Sequence, residues 1–285
     1  MQTALSRFAA VAALSSFSVL VSCTESPLEN KVDNSPKMQI RGQVDLSDRL
    51  SPEGVYVWLE GTPLSTRTDN NGAFQINLPP AGPSNAAYAN GVFNLYFFIA
   101  NYKLNFTPVV VQNGEFAYSR GEVGKNGDLT SVRHLFKVLR IETVVDPEVV
   151  PVNYDGPVGI QVALSATLDS VTVVFPKVIG GLLGGILLKH EETGKVFIDA
   201  ADAGPNLREI VKIGNEPYYK RLIFSPQQLR LPPGAYEIVP YFLIQHDNMP
   251  AGLLLSLGEK VEEITPEFLK IPFKREGGRF VVIGD

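Results

Sequence analysis

The chain has 285 residues, 45% of them hydrophobic and 19% charged, with a formal net charge of −5. That apolar share excludes wholesale disorder, and the acidic balance gives no reason to expect nucleic acid, whose phosphates require a basic face. A single cysteine and three scattered histidines exclude an intrachain disulfide and every multi-cysteine metal site, so no cofactor or metal is expected.

The N-terminus carries the most specific signal. Met1 to Arg7 holds one positive charge, and Phe8 to Val21 is an uncharged apolar and small-residue run. At about 14 residues the run is too short for a bilayer core, which needs roughly 20, and has the length of a signal-peptide hydrophobic region. It ends in Leu20-Val21-Ser22-Cys23, where the sole cysteine of the chain stands. These four residues resemble the lipobox of bacterial lipoproteins. The resemblance implies cleavage after Ser22, acylation of Cys23 and attachment to a membrane through that lipid. Residues 1–22 are then the signal peptide. Thr24 stands where enterobacterial lipoproteins retained in the inner membrane carry aspartate, which implies the outer membrane. Residues 23–37, polar and Pro-containing, read as the acylated cysteine and a flexible tether.

From Met38 short apolar alternations follow one another between turn signals. Ile40 to Val44, Val55 to Leu59 and Ala73 to Leu78 have period two with β-branched and aromatic enrichment, which predicts strands. Asp69-Asn70-Asn71-Gly72 suits a tight hairpin between two of them. Asn94 to Ala100 and Phe106 to Val111 read as further strands, with Gln112-Asn113-Gly114 as a turn. The motifs Ile40-Arg41-Gly42-Gln43-Val44, Gly54 to Leu59 followed by Gly61-Thr62, Thr68 to Phe74 and Leu78-Pro79 resemble the carboxypeptidase regulatory-like domain. That family is a transthyretin-like β-sandwich without catalytic residues, used as an accessory or structural unit. The match is good over Met38 to Pro80 and weakens where Ala81 to Val92 is inserted. Residues 38–146 are assigned to this domain, because Val145-Asp146-Pro147-Glu148-Val149-Val150-Pro151 looks like an extended, Pro-rich boundary.

Residues 147–285 read as a second β-sandwich. Strands are expected at Gly159 to Leu164, Ser170 to Phe175, Gly185 to Leu188, Lys195 to Ala200, Arg221 to Phe224, Ala235 to Ile244 and Phe280 to Ile283, with one helical turn at Thr265 to Leu269. Leu231-Pro232-Pro233 echoes Leu78-Pro79-Pro80, which raises a duplication of related sandwiches. The fold class is therefore all-β: two consecutive β-sandwich domains after a lipoprotein signal peptide and tether.

No motif carries chemistry. The Asp69 to Gly72 turn lacks the alternating ligands and the bidentate Glu of a calcium loop. Gly180 to Gly185 lacks the Gly-Lys-Ser/Thr ending of a phosphate loop. His134, His190 and His246 lie far apart, each beside at most a neighbouring acid that a strand would turn to its opposite face. No G-x-S-x-G occurs. An enzyme would need a carboxylate pair assembled by the fold alone. One surface remains: with Val55, Val57 and Leu59 facing the core, Tyr56 and Trp58 share the opposite face, as Tyr96 and Phe98 do. Such aromatics form a ligand-binding platform if bare, or an interdomain contact if covered, and coverage is favoured because a bare pair is an apolar liability. The expectation is a non-catalytic binding or scaffolding protein of the cell envelope, held in the outer membrane by lipid and serving a protein partner. A carbohydrate-binding surface lipoprotein using exposed aromatics is the alternative.

Overall fold

A computed structural model describes residues 37–80, 89–177, 180–201 and 207–284. The signal peptide, Cys23 and the tether as far as residue 36 lie outside the described residues. Lys37–Asp285 forms one compact unit. Among the described residues, three apolar cores lie within this unit.

The protein is all-β. The first sandwich contains β1 (Gln39–Leu46), β2 (Tyr56–Leu59), β3 (Ser65–Arg67), β4 (Ala73–Asn77), β5 (Gly91–Phe98), β6 (Asn105–Gln112), β7 (Glu115–Phe116) and β8 (Arg133–Leu135). They form one sheet in the order β4-β1-β8 and a second in the order β3-β2-β5-β6-β7. Alternation drives the packing: Ile40 and Val44 from one sheet meet Val57, Leu59, Leu95 and Phe97 from the other, and all are buried.

The second part contains β9 (Leu139–Asp146), β10 (Val149–Pro151), β11 (Val158–Ala166), β12 (Val171–Pro176), β13 (Gly185–His190), β14 (Val196–Ala200), β15 (Arg208–Ile213), β16 (Tyr218–Phe224), β17 (Gly234–Pro240), β18 (Leu243–Ile244), β19 (Glu276–Gly277) and β20 (Arg279–Ile283). Three sheets result, ordered β10-β20-β17-β13-β14, β16-β11-β9-β19 and β15-β12-β18. A helix, α1 (Leu253–Leu257), and a 3-10 turn at Pro266–Lys270 complete it. With three sheets against two, the second part is not a strand-for-strand copy of the first. The two Leu-Pro-Pro segments share one trait, since Leu78 and Leu231 are both buried.

Two sequence expectations change. The Asp69 to Gly72 turn exists, with the Asp69 carboxylate accepting from the backbone N–H groups of Asn71 and Ala73 at 2.9 Å. It is not a hairpin: β3 pairs with β2 while β4 pairs with β1, so the turn carries the chain from one sheet to the other. Gly72 is required there twice over, with φ +79° and a virtual Cβ 2.1 Å from the Val44 carbonyl oxygen. The boundary also moves. β9, placed by the sequence at the end of the first domain, pairs along its whole length with β11 in the second. The chain crosses at Phe136 to Val138, a stretch with no Pro or Gly to mark it.

Candidate functional site

The aromatic face singled out by alternation is closed. β2 and β5 turn Tyr56, Trp58, Tyr96 and Phe98 away from the first core, as period two requires, and Tyr56 and Trp58 are only 5% and 3% exposed. What covers them is a third apolar core. Leu187 and Val239 come to it from the second part's β13 and β17, Leu253 from α1, and Phe268 from the 3-10 turn. The Trp58 ring stacks on Tyr96 with centroids 6.0 Å apart, and its Nε1–H donates to the Thr62 carbonyl at 2.9 Å. Gly252 abuts the outer edge of the indole, where a Cβ would stand 3.0 Å from Cη2. The Tyr56 hydroxyl meets the Ser256 hydroxyl at 2.9 Å, and the Arg67 guanidinium lies over the Tyr56 ring at 5.6 Å. Tyr56 and Trp58 therefore offer no open platform, and a sugar could not stack on them without parting the two halves.

Polar contacts run round the rim of this core. Asn101, fully buried, donates through Nδ2 to the carbonyls of Leu139 and Lys274 and accepts through Oδ1 from the Lys274 backbone N–H. Arg67 donates to the Lys270 carbonyl at 2.6 Å, and Lys274 donates through Nζ to the Glu53 carbonyl at 2.8 Å. His246, whose basicity burial lowers, sits 2.7 Å from the Ala100 carbonyl. Arg275 lies over the Phe273 ring at 4.4 Å, and burial pulls its guanidinium down to about 10.

Two clusters pair a buried lysine with a carboxylate and a phenol. At the crossing between the halves, Lys137 Nζ lies 2.6 Å from the Asp48 carboxylate, which also accepts from the Tyr102 hydroxyl at 2.6 Å. Burial alone would raise the Asp48 carboxyl, but the hydrogen bonds from Lys137 and Tyr102 outweigh it and hold it below the usual range. Burial and the neighbouring carboxylate push the Tyr102 phenol up. In the second part, the buried Lys220 ammonium sits 2.6 Å from Glu209, between the rings of Phe175 and Tyr218. The Lys220 hydrogen bond lowers the Glu209 carboxyl against the opposing effect of burial. In both clusters cation, carboxylate and phenol neutralise one another, an arrangement suited to fixing strands in place.

The other sequence candidates scatter. His134 is exposed beside Asp45, whereas His190 is buried against the Pro233 carbonyl and accepts from the Thr193 N–H. Gly180 and Gly181 take positive φ in an open turn, and Gly184, where a Cβ would meet the Pro176 carbonyl at 2.2 Å, packs closely as the chain enters β13. Among the described residues no three His, Cys, Asp or Glu side chains gather as metal ligands, and no helix is long and apolar enough to cross a membrane. Sequence reading missed both charged clusters. Their partners lie 11 and 89 residues apart, and only the packing of separate sheets and turns brings them together.

No protein-family model matches the chain, and no curated protein matches it. Among solved structures, the Bacillus anthracis TIE protein is 11% identical with a TM-score of 0.23, over 74% of this chain and 30% of that one. BcpA, the major pilin subunit of Bacillus cereus, is 10% identical with a TM-score of 0.24, over 75% of this chain and 60% of that one. The chain thus spans less than two thirds of either protein's length, and at these TM-scores the likenesses assign it neither a family nor an activity.

Proposed function

We propose that this chain is a lipid-anchored, non-catalytic binding or scaffolding protein of the bacterial cell envelope, carried in the outer membrane by Cys23. The observation that carries the reading is the placing of the only cysteine directly after Leu20-Val21-Ser22, at the end of a short uncharged apolar run. Acylation at that position supplies more than one chain, and each buried CH₂ contributes about 0.8 kcal/mol, which is enough for stable anchoring. The rigid β unit beyond the tether suits a scaffold, since two halves joined through a shared core present fixed outer faces. The lowered carboxylates Asp48 and Glu209 are spent on internal ion pairs. The carboxypeptidase regulatory-like resemblance over Met38 to Pro80 points to the same accessory kind of role.

Membrane fractionation and intact mass test the reading. The mature protein is expected to begin at Cys23 and to carry acyl groups, and Cys23→Ala is expected to release it from the membrane. Unmodified Cys23 in the mature protein, or attachment that survives Cys23→Ala, overturns it.

A further inference from the structure

The sheet β16-β11-β9-β19 buries one face in the second core and turns the other outward. Its outward residues fall into rows fixed by register: Tyr219–Ala163–Glu142, Arg221–Gln161–Val144 and Ile223–Gly159–Asp146. The solvent face of such a sheet is normally polar. Here Val144, Tyr219 and Ile223 are 58%, 54% and 70% exposed. Gly159 and Gln161 of β11 make the floor of an open trough of about 710 Å³ between the two flanking strands, with Leu182 and Ala200 on its rim. The trough is lined by one cation, Arg221, and two carboxylates, Asp146 and Asp199. Arg221 stands on the β16 side, while Asp146 on the β9 side makes no ion pair among the described residues.

We infer that this face docks a second copy of the chain about a twofold axis running along β11. Beyond the anchoring proposed above, this assigns the outer face an occupant, and it does not depend on that anchor. A twofold axis parallel to the strands lays β16 of each copy over β9 of the other. Arg221 then stands over the second copy's Val144, with that copy's Asp146 one row away, about 6.8 Å along the strand and within an arginine's reach. Glu142, in the row on the other side, is held by Arg140 at 3.1 Å. The same operation closes the exposed apolar side chains of both copies over the small central residues, at the roughly 10 Å spacing of stacked sheets. A twofold axis across the strands through that row would instead set Arg221 upon Arg221. The pairing of Arg221 with Asp146 therefore favours a second copy in the first orientation.

Sedimentation equilibrium of the Lys37–Asp285 unit tests this. A concentration-dependent dimer is expected, weakened at least about tenfold by Ile223→Glu and by Ala163→Arg on the axis, which is about 1.4 kcal/mol or more. Arg221→Asp and Asp146→Arg should each weaken it, and the two together in one chain should restore it. All four positions lie on the outer face, so far-UV circular dichroism should be unchanged. A wild-type unit that stays monomeric overturns the inference. So does a dimer indifferent to both Ile223→Glu and Ala163→Arg, or a double charge swap that rescues nothing. A monomer that instead takes up a soluble fatty acid, in a manner lost in Ile223→Glu, overturns it in favour of a small apolar ligand.

Discussion

Removing the Trp58 side chain should loosen the join between the two halves, and the size of the effect can be worked from its surroundings. The indole is 3% exposed, stacked on Tyr96, touched by Gly252 and hydrogen-bonded to the Thr62 carbonyl. Truncating a fully packed Trp to Ala costs about 3–5 kcal/mol in transfer and cavity terms. Leaving the Thr62 carbonyl without its donor adds about 1 kcal/mol. Trp58→Ala is therefore expected to destabilise the Lys37–Asp285 unit by about 4–6 kcal/mol, read from urea unfolding followed by far-UV circular dichroism. Trp58→Phe keeps most of the apolar contact and loses the hydrogen bond, so about 1–2 kcal/mol is expected. Because Trp58 is the only tryptophan, wild-type fluorescence reports this one position. Its emission should be blue-shifted and poorly quenched by acrylamide until the unit unfolds. A Trp58→Ala loss below about 1 kcal/mol, or a wild-type emission typical of solvated indole, would refute the reasoning, since neither fits a packed third core.

Gly72→Val should destabilise by about 3 kcal/mol or more, because it adds a positive-φ penalty to a clash with the Val44 carbonyl; Gly54→Ala, with φ +81° but open space, should cost less by the same urea assay. Lys137→Met should cost about 3 kcal/mol by stripping the Asp48 carboxylate of its ammonium, the low end for a buried pair because Asp48 keeps Tyr102 and some solvent. The folded state holds the Asp48 and Glu209 carboxyls below their ordinary values, so they bind protons less readily folded than unfolded. The stability they contribute is present above the unfolded carboxylate range and is lost as pH falls through the lowered folded values. Urea midpoints should drop on acidification below about pH 4, and Asp48→Asn together with Glu209→Gln should flatten that dependence.

Period two was enough to locate strands, because a half-buried sheet writes its inward face as every second residue. Ile40 and Val44, Val57 and Leu59, and Ile160 and Val162 all point inward as the alternation demands. Pairing is a different matter. Nothing in Thr68 to Phe74 distinguishes a hairpin from a corner between sheets, since both use a turn with a positive-φ glycine. Pro147 and Pro151 mark a boundary in the sequence because prolines punctuate. The real crossing at Phe136 to Val138 is held by the Asn101 carbonyl and the Ser47 hydroxyl, partners 37 or more residues away. Helix α1 has no side-chain cap and only five residues, too few to write a helical period between Gly252 and Gly258. The trough on the outer sheet face was invisible for a related reason. Ile223 and Val144 each look like one apolar residue in a strand, and only register sets them on either side of Gln161 and Gly159.

The third core also fixes an order of events in synthesis. Its N-terminal contributors, Tyr56, Trp58, Tyr96 and Phe98, emerge from the ribosome well before its C-terminal ones, which end at Phe268 and Ile271. The first sandwich has its own core and all its strands by Leu135, so its chain can pair while its aromatic flank is still uncovered. That flank stays open for the making of more than a hundred further residues. A nascent or truncated chain is thus a sticky species even though the finished one is not, and a stop codon anywhere before Phe268 would leave its aromatics for chaperones or proteases to find.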